Sequence, residues 1–239
     1  MNGQEPHPVC ILAAADLQSR LSTLDIGHNF GLPGNPAGPI IGKMFGVLVV
    51  RNADDQLGYL SAFSGKMAGG NHHEGFVPPV FDSLTENSFL NNGMKELTRI
   101  NDEIRVMDTR LSSEGTDVAD TGAGFHELGL LRLRRKQHST ALQQQLFNHY
   151  YFLDAMGRSK SLNEIFEAAG YKNPPSGAGE CAGPKLLQYA FRHQYQPVAL
   201  TEFWWGQSPK SDYWKHKQHY PCCKEKCEPI LGFMLDPFN

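Results

Sequence analysis

No apolar run in the chain approaches the ~20 residues that a membrane-spanning helix requires, so no membrane segment is expected. Positive charge is not in surplus either. The net charge is −3, which excludes a protein that coats nucleic acid by bulk electrostatics and leaves any RNA contact to a local patch. The first residues, MNGQEPHPVC, carry no basic stretch followed by a long apolar one, so no signal peptide is read and the cytoplasm is the expected compartment. Internal repeats are absent. Cysteine is sparse and odd in number: Cys10, Cys181, Cys222, Cys223 and Cys227. In a reducing compartment, an odd count argues against a disulfide framework and for free thiols or metal ligands.

What remains is a chain of ordinary globular composition, 40% hydrophobic and 20% charged, long enough at 239 residues to bury a core without staples. Apolar residues at Val9, Leu12, Ala13, Leu17, Leu21 and Leu24 predict a helix over 9–24, ended by a Gly- and Pro-rich turn at 31–39. GKMFGVLVVR and QLGYLSAFSG flank a polar turn at 52–55 and predict a β-hairpin. Its first strand is apolar on both faces, as expected of a strand covered from two sides. A polar helix is predicted over 92–105, a small-residue linker over 112–124, and a longer helix over 126–153 with Leu142, Leu146, Tyr150 and Leu153 as its buried stripe. A short helix at 162–169 follows. CAGPKLLQYAFRH then predicts a helix, with Pro184 in its first turn. PVALTEFWWG predicts a strand, and YPCCKEKC leads into the apolar EPILGFML. The expected fold is mixed α/β: one domain over 1–239, a mixed sheet with a hairpin and flanking helices, and a helical and loop insertion at about 92–170.

The cysteines divide by position. Zinc favours tetrahedral sulfur and nitrogen ligands, paired locally at short spacing, and Cys223 and Cys227 satisfy that spacing. Cys181 can add a third ligand from a helix N-terminus, where the dipole favours the thiolate, and His219 or His216 a fourth. Plain packed thiols are the other reading of the same residues. For Cys10 the packed reading is preferred. Cys222 adjoins Cys223, and adjacent side chains seldom share one metal.

A hairpin, a helix opened by a cysteine, a strand and then a cysteine pair resemble the order of the zinc nucleobase-deaminase fold. That fold opens one helix with a His/Cys plus Glu motif and the next with PCxxC. This chain departs from the pattern: Gly183 stands where the Glu belongs, Glu180 lies on the other side of Cys181, and the second motif reads PCCKEKC. The resemblance implies a zinc-dependent deaminase with Glu180 as its acid–base group, or such a scaffold without the chemistry.

A longer resemblance runs through PHPVCILAAADLQ, GKMFGVLVVR, LGYLSAFSGKMAGGNHHEGFVPPVFD, PPSGAGECAGPKLLQYAFRH, ALTEFWWGQSP and HYPCCKEKCEPILGFML. In this order, over most of residues 6 to 235, these blocks resemble the N-terminal extension of long bacterial RluA-type pseudouridine synthases. Between Asp102 and Gly129 the family tends to carry a longer charged helical insert. The resemblance implies association with RNA uridine isomerisation, on ribosomal or transfer RNA, together with a synthase domain. It brings no catalyst. The nearest string to the synthase motif is Thr109 to Gly115, with Ser112 where the nucleophilic Asp belongs, and LDPFN stands where the family continues into the synthase.

The leading expectation is therefore a non-catalytic accessory module that helps a synthase dock RNA, built around zinc. A deaminase-like enzyme and a protein-interaction module are the alternatives. The RNA-contacting or pocket candidates are His72 and His73 in a Gly-rich loop, Lys66 beside it, Glu202 before the tryptophans, and Arg132, Arg134 and Arg135 in one helix. Trp204 and Trp205 read either as base-stacking platforms or as core.

Overall fold

A computed structural model of the chain describes residues 5–85, 88–113, 118–208 and 213–236. The elements run α1 (Pro8–Thr23), β1 (Lys43–Arg51), β2 (Leu57–Phe63), α2 (Phe89–Ser113), α3 (Val118–Phe147), β3 (Tyr151–Leu153), β4 (Ser159–Ser161), α4 (Leu162–Ala168), α5 (Ala182–Arg192), β5 (Gln196–Trp205), β6 (His219–Tyr220) and α6 (Glu228–Leu235). The fold is mixed α/β. Four strands form an antiparallel sheet in the order β2-β1-β5-β6, and β3 pairs with β4 in a separate hairpin.

The chain divides into two compact units, one made of Met1–Asp82 with Tyr150–Asn239, the other of Ser83–His149. In the first, β1 is buried on both faces, as its continuous apolar run predicts. Helix α1 covers one face. Its Cys10, Ala13, Ala14, Leu17 and Leu21 join Phe45, Val47, Val49, Phe63, Phe203 and Trp205 in one hydrophobic cluster. The helix starts where Pro8 needs no N–H partner and where His7 Nδ1 accepts from the Val9 N–H. Helix α5 packs against β1, β2 and β5. It approaches closely because position 46 is glycine: a Cβ there would lie 3.0 Å from both the Ala182 Cβ and the Leu186 Cδ1. Helix α4 opens with a capping box, Ser161 and Glu164, and both α4 and α5 pack against α6.

The insertion expected at about 92–170 is the smaller unit, and residues 150–170 belong instead to the first unit as β3, β4 and α4. The helix predicted to run to Leu153 ends at Phe147. Beyond it Tyr150 and Phe152 are buried while Tyr151 is exposed, an alternation of period two that makes a strand. The linker predicted over 112–124 is helical wherever it is described, since α2 reaches Ser113 and α3 begins at Val118. Small residues there serve the packing of two helices. A Cβ on Gly124 would fall 2.6 Å from Leu111 Cδ2, and one on Gly93 2.5 Å from Leu142 Cδ1.

Candidate metal centre

Sequence positions 181, 223 and 227 meet in space. The Sγ atoms of Cys181, Cys223 and Cys227 all lie within 4.8 Å of one another, and those of Cys223 and Cys227 are 3.2 Å apart. Cys181 is the N-cap of α5 and Cys227 the N-cap of α6, and neither uses its side chain to cap. The orphan donors of α5 are satisfied from elsewhere. The Ala182 N–H donates to Ser64 Oγ (3.3 Å), just past β2, and the Gly183 N–H donates to Glu202 Oε1 (2.9 Å), in β5. The Cys181 sulfur is thereby left for the cluster. On the other side, the N–H groups of Cys227 and Glu228 both donate to the Cys223 carbonyl, a tight turn that brings the two sulfurs together.

The three thiols do not share charge evenly. Hydrogen bonds from Cys181 and Cys227 hold the Cys223 thiol far below its ordinary pKa. Cys181 rises in return, chiefly through its hydrogen bond with Cys223. Cys227 is raised by its hydrogen bonds with Cys181 and Cys223 and then by burial. Cys223 is also the most exposed of the three residues. Three sulfurs this close together are a donor set that suits a soft metal ion.

Glu202 stands against this cluster. Its side chain is buried, and burial is the main cause that lifts its carboxyl to about 7, with the charge of Cys223 adding to the rise. Its charge is felt in turn at Cys181, Cys222 and Cys227. In the sheet, Glu202 is the register partner of Gly46. The missing side chain at position 46 leaves room for the first turn of α5, while Glu202 Cγ lies at an ordinary contact distance of 3.5 Å from where a Cβ would stand.

The remaining candidates fall elsewhere. His219 is not a member of the sulfur group. Pairing of β6 with β5 sets it opposite Phe203, and its Nδ1 shares a hydrogen bond with Thr201 Oγ1 at 3.0 Å. His216 Nδ1 accepts from the Gly206 N–H. Glu180, the expected acid–base group, accepts from the Tyr150 hydroxyl at 3.5 Å and acts electrostatically on Lys43 and Lys185. His72 pairs with Asp82 at 3.1 Å and His73 with the Met67 carbonyl at 2.8 Å, so both imidazoles brace their loop. Lys66 is exposed. Within the smaller unit, Arg132 binds Asp108, Arg134 binds Glu96 and Arg135 donates to Asn101, which ties α3 to α2. Trp204 and Trp205 are buried core, Trp204 stacking on Trp214 at 5.2 Å. Cys10 is fully buried among the apolar residues of α1 and β1, and burial pushes its thiol up to about 11.

Sequence reasoning reads Lys185 as a phosphate contact or solvated surface, and it passes over Gly46. Lys185 is buried and donates through Nζ to the carbonyls of Phe63 (2.9 Å) and Gly65 (3.3 Å), which locks α5 onto the end of β2. Gly46 sets the spacing between α5 and the sheet. Only its place in a both-faces-buried strand hinted at that role.

Fold and site together define a mixed α/β protein with a three-cysteine cluster close enough to bind a metal. Compared with protein-family models, with curated proteins and with solved structures, the chain matches none.

Proposed function

We propose that this chain is a zinc-binding accessory module of an RluA-type pseudouridine synthase, which helps that enzyme engage ribosomal or transfer RNA while contributing no catalytic residue to the isomerisation. The zinc part rests on one observation: the sulfurs of Cys181, at the start of α5, and of Cys223 and Cys227, leading into α6, converge within 4.8 Å. Sulfur donors at that spacing suit zinc, and Cys181, Cys223 and Cys227 would hold it. A bound zinc would pin α5 to α6, taking the place of the protons on the three sulfurs. The RNA part is supported by the resemblance of six sequence blocks to the synthase extension.

Metal analysis of protein purified without added zinc tests the first part. One zinc per chain is expected, lost in a Cys223→Ser, Cys227→Ser double variant. Metal-free protein that takes up no zinc on titration would leave the thiols as core packing and favour a protein-interaction module. For the second part, the zinc-loaded chain should lower the KM of an RluA-type synthase domain for its RNA without changing kcat.

A further inference from the structure

Zinc completes a tetrahedron with four donors, and the protein here brings three. Among the described residues, no fourth Cys, His, Asp or Glu donor joins the group within the same 4.8 Å. The imidazoles nearest in sequence are committed elsewhere, His219 to Thr201 and His216 to the Gly206 N–H. The Cys222 thiol also lies outside the group.

Beside the three sulfurs stands a carboxyl group whose hydrogen bonding is incomplete. Glu202 is only 5% exposed, yet among the described residues it makes a single hydrogen bond, from the Gly183 N–H to Oε1. Oε2 has no protein partner there, and it is not among the wholly enclosed oxygens that lack one, so it borders a space that a water or small ligand can reach. A carboxyl group so largely withdrawn from water is costly unless something engages it, and a ligand beside Oε2 would do so. Packing alone does not explain an acid at this position, because a residue such as Leu or Met would fill the space without that cost. A requirement to cap α5 does not explain it either, since one oxygen is enough for the Gly183 N–H.

We propose that the centre is ligand-exchanging rather than closed, with three protein thiolates on the metal, a fourth position held by an exogenous ligand, and Glu202 Oε2 as the hydrogen-bonding partner of that ligand. This inference rests on the zinc reading above. The chemistry of the site sets the ligand class. Three thiolates around a divalent zinc leave one net negative charge, and Glu202 adds negative potential when ionised. The buried Lys185 already gives its Nζ to two carbonyls. Anions are therefore disfavoured. The ligand is an uncharged oxygen or nitrogen donor that carries a hydrogen for Oε2, water in the resting state and a small polar molecule in its place.

Cobalt(II) substitution tests this without any assay of activity. Its d–d bands report coordination geometry, and its sulfur charge-transfer band reports the thiolates. Imidazole, an uncharged nitrogen donor with one N–H to give, serves as the probe. In the full-length cobalt protein, imidazole is expected to shift the d–d bands saturably while the charge-transfer band persists. Glu202→Gln keeps an acceptor for Gly183 but turns an N–H donor toward the ligand. It is expected to raise the half-saturating imidazole concentration about five-fold or more, the worth of one net hydrogen bond, at unchanged cobalt stoichiometry. Bands that ignore imidazole in wild-type protein carrying one cobalt would overturn the open centre and leave the zinc reading standing. Equal imidazole affinity in wild type and a folded Glu202→Gln would remove Glu202 from the ligand's environment. Should that variant not fold, Glu202→Asp, which withdraws the carboxyl by one methylene, is put to the same comparison. Failure to bind cobalt or zinc at all overturns both readings together.

Discussion

Glu202 is the residue at which folding and the site oppose each other most directly. In the unfolded chain its carboxyl titrates near the ordinary value of 4.5, and in the folded, metal-free protein burial lifts it to about 7. Between those values the folded state holds a proton that the unfolded state gives up. Stability from this group is therefore fully present below about pH 4.5 and is lost as pH rises through 7. The loss is about 3 kcal/mol if the whole shift is expressed. Glu202→Gln cannot ionise and escapes it. Urea unfolding of the metal-free proteins should show the variant gaining on wild type by that amount between pH 4.5 and 7.5, with other titrating groups cancelling in the difference. A gap that does not change with pH would mean that the carboxyl is hydrated in the folded state. The grouping of Cys181, Cys223 and Cys227 was legible in the sequence because local spacing and a helix start single them out together. Glu202 was legible only as a pocket candidate before the tryptophans, because its place near the first turn of α5 depends on the β1–β5 register that sets it opposite Gly46.

Among the elements, α5 and β1 hold the centre in place, and Gly46 governs their separation. The Cβ that Gly46→Val would introduce meets Ala182 Cβ and Leu186 Cδ1 at 3.0 Å, and its two methyl groups reach further. Leu186 can change rotamer, but Ala182 cannot retreat unless the helix moves, and Cys181 is the next residue. Overpacking of this kind costs about 1–3 kcal/mol. The variant is expected to lose that much in denaturant unfolding and, because Cys181 is displaced with the helix, to bind zinc more weakly in competition with a chelator. Loss of stability with zinc affinity intact would show that the strain relaxes into Leu186 alone. The elements around the site could be read from the sequence because their patterns are unmixed: α1 and α5 have clear helical spacing, and β1 is a continuous apolar run. The errors have a common cause. Leu142, Leu146, Tyr150 and Leu153 keep a spacing of three and four across a true boundary at Phe147, which conceals the period-two burial of Tyr150 and Phe152. Gly124 looks like a linker residue because sequence alone does not reveal that Leu111 packs against it.

At the scale of the whole molecule, the cysteine cluster and the basic residues expected to form an RNA patch fall in different units. Every residue of the centre lies in the first unit: Cys181, Cys223 and Cys227, Glu202, Gly46, and Ser64, whose hydroxyl accepts from the first N–H of α5. The basic residues first read as an RNA patch lie in the second, where Arg132, Arg134 and Arg135 already have partners on α2. Exposed ion pairs are weak, so phosphates can compete for these side chains, but the pairing lowers the positive potential they offer. The points where the chain leaves and re-enters the first unit are close together, with the rings of Phe81 and Tyr150 5.9 Å apart. A short Gly/Ser linker in place of residues 83–149 therefore bridges ends that already meet, and a shorter loop costs less entropy to close. The shortened chain is expected to unfold in one cooperative transition and to bind zinc with the stoichiometry and affinity of the full chain. Loss of zinc binding would mean that the first unit does not stand alone. The same protein decides the RNA assignment. Salt-dependent binding to ribosomal or transfer RNA fragments should fall if Arg132, Arg134 and Arg135 carry it, and undiminished binding would place the RNA surface on the unit that holds the cysteines.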